Sequence, residues 1–372
     1  MEADAVYLSF SVGAINGFAH IGVLHALEVE YALRGKDLHR CIRGASGASA
    51  GAMMALATVL GFRGAELKRF ADEQLDTVAD EFKKPNLVHL YRTGSGMLKP
   101  DPIRRVLRAM IERKLGVTDI TFEELGQRLP GMQLWIAAHN IDDLRGELFS
   151  VETSPHTSVV EACTASCMVP VIFESVEVDG TMYVDGGISN SLPFKVFDDP
   201  YATIKVYLRK LPPPRHLRKE KPLSFLRYLS RVVEAFETAT RVRLEHDTAP
   251  HNQINILLPL ESVSADIENH AIRDRLYWYG ALMATLWAHP EYTNGITALI
   301  DMPLTIQFSD VDAMYAHTQL VDTSFVSELT FESEEEMYDA LKRILSSDFQ
   351  DWNFKLEPKS PYSIRVVWVR VP

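Results

Sequence analysis

Arg43-Gly44-Ala45-Ser46-Gly47-Ala48-Ser49-Ala50-Gly51-Ala52-Met53-Met54 is the stretch from which the rest of the chain is read. It holds a Gly-x-Ser-x-Gly pattern, Gly47 to Gly51, with alanine at both x positions. An apolar helical run from Ala50 to Leu60 follows at once, closed by Gly61, and Cys41-Ile42 before it can end a short buried strand. Strand, five-residue turn and helix in succession form the setting of a nucleophile elbow. In so sharp a turn the residues two before and two after the serine touch, and only glycine leaves room. The serine oxygen then stands at a helix N-terminus, where backbone N–H groups and the dipole favour developing negative charge. Ser49 is the candidate nucleophile, and Gly47, Ala50 and Gly51 build the elbow around it. A base and an oxyanion site must come from elsewhere in the chain.

A chain of 372 residues exceeds the usual ceiling for one core, so a large domain and a small one are expected. The net charge of −12 argues against nucleic acid as a partner, because phosphate attraction needs a basic face. Cys41, Cys163 and Cys167 are too few and too odd in number for a disulfide framework, and no Cys/His spacing completes a zinc site. Buried thiols in a reducing compartment are the expectation. Met1-Glu2-Ala3-Asp4 lacks the basic start of a signal peptide. No run of about 18 apolar residues spans a bilayer. The reading is an intracellular, cytoplasmic protein.

Taken in order, Val6 to Val12 reads as a buried first strand, rich in β-branched and aromatic residues. Gly13-Ala14-Ile15-Asn16-Gly17 follows, then a helix from about Phe18 to Ala32. Strand, small-residue loop and helix put backbone N–H groups at the carboxyl edge of a parallel sheet, where α/β proteins keep their sites. The G-x-G-x-x-G spacing of a dinucleotide loop is not met, and no Gly-Lys-Ser/Thr follows. A loop that lends N–H groups to an oxyanion fits better. Gly64 to Asp76 and Pro100 to Leu115 read as amphipathic helices, with Asp101 as a cap and Pro102 in the first turn. Gln133 to Ala138 is a buried strand, and His139 after it reads as a locally hydrogen-bonded residue, not a base. Ser158 to Cys167 forms a small-residue helix. Val176-Glu177-Val178 and Thr181 to Val184 flank Asp179-Gly180, a strong hairpin signal. Asp185-Gly186-Gly187 and Asn190-Ser191-Leu192-Pro193 come next.

The ordered set formed by the loop at Leu8–Gly17, the elbow at Gly47–Gly51, Ala165-Ser166 through Pro170, and Asp185 through Pro193 resembles the patatin-like phospholipase family over roughly residues 5 to 210. The resemblance implies a three-layer α/β/α fold and a Ser–Asp dyad that hydrolyses acyl esters of lipids. In such a dyad Asp185 takes the proton of the Ser49 hydroxyl directly, then hands it to the leaving alcohol. Gly186 and Gly187 turn the chain away and let its backbone come close to the serine. No metal or cofactor is implied. The family's oxyanion loop typically reads Gly-Gly-Gly-x-Lys/Arg-Gly; here it is Val12-Gly13-Ala14-Ile15-Asn16-Gly17. Its N–H donors survive an alanine where φ stays negative, but not where the loop needs positive φ. Asn16 offers a hydrogen bond and no charge.

A conventional triad would draw its histidine from His216, His246, His251, His270, His289 or His317, none with distinguishing local context. Arg209 to Lys221 carries six basic residues around Pro212-Pro213-Pro214, either a solvated stiff loop or a transient contact with an anionic membrane surface. Further helices are expected over Leu223–His246 and Ile272–Ala288, and strands over Ala202–Leu208 and Gln253–Leu258. The hydrolase domain is assigned to residues 1–300 and a small α+β appendage of unknown role to 301–372. In the appendage Leu304–Phe308 and Ile364–Val371 read as strands and Glu332–Leu345 as a helix. The expected function is a lipid acyl hydrolase acting on phospholipid or another acyl-ester lipid. The alternative is a weak or inactive relative that binds lipid or protein.

Overall fold

A computed structural model of the chain describes residues 5–82, 87–199, 202–211, 252–259 and 269–288, and the backbone of five further strands between 307 and 370. At its centre is an eight-stranded mixed sheet. Its strands are β1 (Val6–Phe10), β2 (Ile42–Ala48), β4 (Gln133–Asn140), β5 (Arg145–Phe149), β7 (Val176–Val178), β8 (Thr181–Asp185), β9 (Thr203–Leu211) and β10 (Gln253–Pro259). The order is β10-β9-β1-β2-β4-β8-β7, with β5 also on β4. The first five of these run parallel. Consecutive residues Leu8, Ser9 and Phe10 are all buried, as a strand covered by helices on both faces requires. Two short strands, β3 (Gly96–Leu98) and β6 (Val171–Phe173), pair separately.

The helices that flank the sheet in the expected three-layer α/β/α arrangement are α1 (Phe18–Leu33), α2 (Leu38–Cys41), α3 (Ala50–Val59), α4 (Gly64–Phe82), α5 (Leu87–Thr93), α6 (Asp101–Leu115), α7 (Phe122–Arg128), α8 (Val159–Ser166) and α9 (His270–Ala288). Local chemistry sets their ends. Thr121 and Glu124 close a reciprocal capping box on α7, and the Ser158 hydroxyl accepts the Glu161 N–H at the start of α8. Gly116 ends α6 in the left-handed conformation. In the β7–β8 hairpin Asp179 and Gly180 have φ of 50° and 81°, the pair of positive values that a two-residue turn matching strand twist needs.

Several boundaries differ from the expectations. Ile42 begins β2 and Cys41 ends a helical turn, because Asp37 caps His39 and draws residues 38–41 into α2. Asp101 is not a cap: α6 starts from Pro100, and the Asp101 carboxylate instead pairs with Arg104 one turn on. Helix α4 runs six residues past Asp76, because Val78 and Ala79 continue its buried stripe.

Helix α9 lies against α1 at very close range. A Cβ on Gly22 would sit 1.8 Å from the Tyr277 carbonyl oxygen, and one on Gly280 would sit 1.9 Å from that of Ala19. An ionic cluster ties α9 to α4: the fully buried Arg273 guanidinium binds Asp72 and Asp76, and Lys68 binds Asp72 and Asp274. Buried charges of this kind persist only when paired. Both cations also face the ring of Phe18, the residue that opens α1.

Beyond the sheet, the C-terminal strands β11 (Gln307–Phe308), β12 (Gln319–Val321), β13 (Ser324–Glu332), β14 (Trp352–Ser360) and β15 (Ser363–Arg370) form a second, antiparallel sheet. The expected strands near Phe308 and Ile364 belong to it. Glu332 ends a strand, and the remainder of the helix expected to Leu345 lies outside the described residues, as does Leu223–His246.

Candidate active site

The register of β4 decides where the strands that carry the two candidate residues end. Ile136 and Ala137 pair with Gly47 and Ala48 of β2, and also with Phe149 and Leu148 of β5. Ala138, His139 and Asn140 pair with Asp185, Val184 and Tyr183 of β8, and also with Glu147, Gly146 and Arg145 of β5. A strand has only two edges, so β2 and β8 share the edge opposite β5. Strand β2 climbs that edge to Ala48, and antiparallel β8 descends it to Asp185, one rung further on. The two strands therefore meet end to end. Each leaves the sheet at the meeting point, β2 through Ser49 into α3 and β8 through a single 3-10 turn at Gly186–Ile188.

Glycines make both departures possible. A Cβ on Gly47 would stand 1.9 Å from the Gly51 carbonyl oxygen, and one on Gly51 would stand 2.3 Å from that of Phe10. The turn is thus closed against itself and against β1. Ser49 sits at φ 55° and ψ −127°, a conformation that residues with a Cβ rarely adopt. Gly186 passes so near β4 that a Cβ would lie 2.1 Å from the Ala137 oxygen, and a Cβ on Gly187 would lie 2.8 Å from Val12. The Gly187 N–H donates to Asp185 Oδ1 at 2.8 Å. Burial foremost, and then the Asp185 carboxylate, push the neighbouring Cys167 thiol well above the usual thiol range.

One segment touches both partners. The Ser49 N–H donates to Ser166 Oγ at 2.9 Å, and the Ser166 hydroxyl donates to the Ala137 oxygen at 2.6 Å. Two residues on, the Met168 oxygen accepts the Asp185 N–H at 2.8 Å. The sequence marked Ala165 to Pro170 by resemblance but gave Ser166 and Met168 no role. A serine at the C-terminal end of a helix of mostly small residues is the signal that was available.

The loop after β1 completes the site. Ala14 to Gly17 form a 3-10 turn, and a Cβ on Gly17 would lie 3.0 Å from the Cβ of Ala50, so loop and elbow are in contact. The first N–H groups of this turn and of α3 have no acceptor within their own helix. The loop is anchored by Val12 N–H to the Ser191 oxygen, by the Ser11 hydroxyl accepting from Leu208 N–H, and by His20 Nε2–H donating to the Ser11 oxygen. Gly13 is extended and is required for space, since a Cβ would lie 2.4 Å from Leu208. Ala14 carries a φ of 47°, the condition under which alanine is a poor stand-in for glycine. Ile15 is half-buried. Asn16 is buried, so its side chain does not stand at the surface where a cation would meet a head group. Val12 packs with Ala48, Ala137 and Leu148 beneath the meeting point.

A family model described as patatin-like phospholipase matches residues 8–198, more than half of the chain. The chain belongs to the patatin-like phospholipase family. Among relatives of this patatin-like chain, a probable lipid hydrolase of invertebrate iridescent virus 6 is 28% identical over 115 residues, 30% of this chain and 39% of that protein. An uncharacterized protein of Acanthamoeba polyphaga mimivirus is 26% identical over 201 residues, 53% of this chain and 63% of that protein. The chain thus spans less than two thirds of the length of either. Two solved structures are similar at low identity. VipD from Legionella pneumophila is 15% identical with a TM-score of 0.43, covering 78% of this chain and 67% of that one. ExoU in its complex with SpcU, from Pseudomonas aeruginosa, is 17% identical with a TM-score of 0.34, covering 94% and 68%.

The histidines considered for a triad in this patatin-like chain do not gather at Ser49 among the described residues. His270 opens α9 and pairs with Asp76 of α4. The other five lie outside the described residues. His139 is on the rung beside Ala138, and strand alternation points its ring to the opposite face from Asp185. Burial lowers its pKa. Of the basic stretch, only Arg209–Leu211 falls within the described backbone, at the end of β9.

Proposed function

We propose that this patatin-like chain is a lipid acyl hydrolase of phospholipase A or lysophospholipase type, using Ser49 as nucleophile and Asp185 as proton acceptor. The observation that carries the reading is the end-to-end meeting of β2 and β8 on one edge of β4. Ser49 Oγ bonds to the ester carbonyl carbon while its proton passes to the Asp185 carboxylate. N–H groups of the Gly13–Gly17 loop and of Ala50 take the negative charge on the carbonyl oxygen. Collapse breaks the bond to the alcohol, which leaves with the proton from Asp185. Water then attacks the acyl-Ser49 ester, Asp185 takes its proton, and return of that proton to Ser49 Oγ releases the fatty acid.

The alternative, a catalytically weak lipid- or protein-binding relative, draws on Ala14. Losing one oxyanion donor costs about 10²–10³ in rate, and positive φ at Ala14 puts that donor under strain. One assay separates the two. Release of fatty acid from a panel of phospholipid, lysophospholipid and triacylglycerol is expected from the wild-type chain and not from Ser49→Ala. Specific lipid binding with no release from any member would favour the alternative. We further propose a cytoplasmic location, peripheral membrane contact through Arg209–Lys221, and a division near residue 300 between the hydrolase domain and the appendage. No helix among the described residues is long and apolar enough to cross a membrane.

A further inference from the structure

The β2–β4 ladder stops at Ala48 and Ala137, yet the next donor and acceptor, the Ser49 N–H and the Ala137 carbonyl, are both buried and both bonded. The Ser166 hydroxyl is spliced between them. Its single proton goes to Ala137, so the oxygen can only accept from Ser49, and its orientation is fixed from both sides. This bridge lets β2 swing away from β4 without leaving a buried backbone group unsatisfied. It also bears on the one residue of the elbow whose backbone is held in an unfavourable conformation.

We propose that Ser166 is a positioning residue that sets the aim of Ser49 by holding its backbone N–H, while Met168 on the same segment holds Asp185. The proposal rests on Ser49 being the nucleophile. The Ala165–Pro170 stretch thereby acquires a role, with one short run of chain fixing the separation between hydroxyl and carboxylate. The hydroxyl of Ser166 never touches substrate, so its loss acts on the geometry of attack and not on lipid binding.

The test compares wild type, Ser166→Ala, Ser166→Thr and Ser166→Cys, each first checked for a native circular dichroism spectrum and a cooperative melt. The readouts are hydrolysis of a short-chain ester and the rate of Ser49 modification by a fluorophosphonate. In Ser166→Ala, kcat and the labelling rate should fall together by about 10- to 100-fold, since misplacements of about 1 Å carry losses of that size. KM should stay within about threefold, because uniform binding is untouched. Ser166→Thr keeps the hydroxyl and should recover most of the loss. Should Ser166→Ala fail to fold, Ser166→Cys, with its weaker donor and acceptor, takes its place with the same expectation. The pH at half-maximal labelling reports the proton acceptor and should not move, since Met168 still holds Asp185. A folded Ser166→Ala labelled as fast as wild type, or one whose loss lies wholly in KM, overturns the proposal alone. Wild-type protein that is neither labelled nor active overturns the Ser49 reading, and this proposal with it.

Discussion

Ala48 and Asp185 occupy consecutive pairing positions along one edge of β4, opposite Ala137 and Ala138. Strand rise is about 3.4 Å per residue, so two strands arriving from opposite directions end within one residue of each other. The chain segments that follow, Ser49 and Gly186, are forced out of the sheet together. A site built this way depends on register: sliding β8 by one residue would turn Asp185 to the other face of the sheet.

Replacing Asp185 by Asn keeps an oxygen to accept the Gly187 N–H and removes the proposed base. Turnover of a phospholipid or short ester should fall by about 10²–10⁴, with the thermal midpoint nearly unchanged. Steady-state kinetics beside a calorimetric melt check this. Retention of more than a tenth of the activity would exclude Asp185 as the proton acceptor.

The contact of α1 with α9 allows no side chain at its crossing. Gly22→Ala places a methyl group 1.8 Å from the Tyr277 oxygen, where backbone must yield on both helices. Destabilisation by more than about 2 kcal/mol is expected from such overpacking. Urea unfolding measures it, and an unchanged midpoint would contradict the close approach.

Ala14 offers a gain. Its positive φ disfavours a Cβ, and Ala14→Gly should stabilise the chain by up to about 1 kcal/mol through relief of that strain. If the loop supplies oxyanion donors, kcat should rise as well, with KM little changed. A rise in thermal midpoint with no change in kcat would separate the loop's conformation from the chemistry.

His20 is fully buried, donates through Nε2 to the Ser11 oxygen, and has its pKa lowered to about 4, chiefly by burial and against the backbone hydrogen bond. The unfolded chain binds a proton at this ring near pH 6.5, and the folded chain does not until about pH 4. Its contribution to stability is therefore complete above pH 6.5 and declines as pH falls toward 4, by on the order of 3 kcal/mol in all. His20→Gln keeps an N–H donor and cannot titrate. The difference in unfolding free energy between wild type and His20→Gln should grow steadily from pH 4 to 6.5 and then level off. Parallel curves across that range would contradict a neutral, buried His20.

What the sequence showed was mostly what sterics dictates locally. Gly47 and Gly51 announced a turn closed on itself, Asp179-Gly180 a hairpin, and the small residues after Ser158 a helix, and all three stand in the fold. Asp101 misled because aspartate before proline is a common helix start, whereas here Pro100 takes the position before the helix and Asp101 is already its first residue. The shared edge of β4 was not legible. It is set by pairings between residues about 90 and 50 positions apart, which no local period records. Ser166 escaped for the same reason: its importance comes from Ser49, 117 residues away. The strain at Ala14 needed the backbone angle itself.

The central claim is that Ser49 is a nucleophile activated at the β2–β8 meeting point. It is tested most directly by treating the full chain with a fluorophosphonate and mapping the modified residue by mass spectrometry. The expected result is stoichiometric modification of Ser49, absent in Ser49→Ala and strongly slowed in Asp185→Asn. Modification of another residue, or equal labelling of wild type and Asp185→Asn, would contradict it.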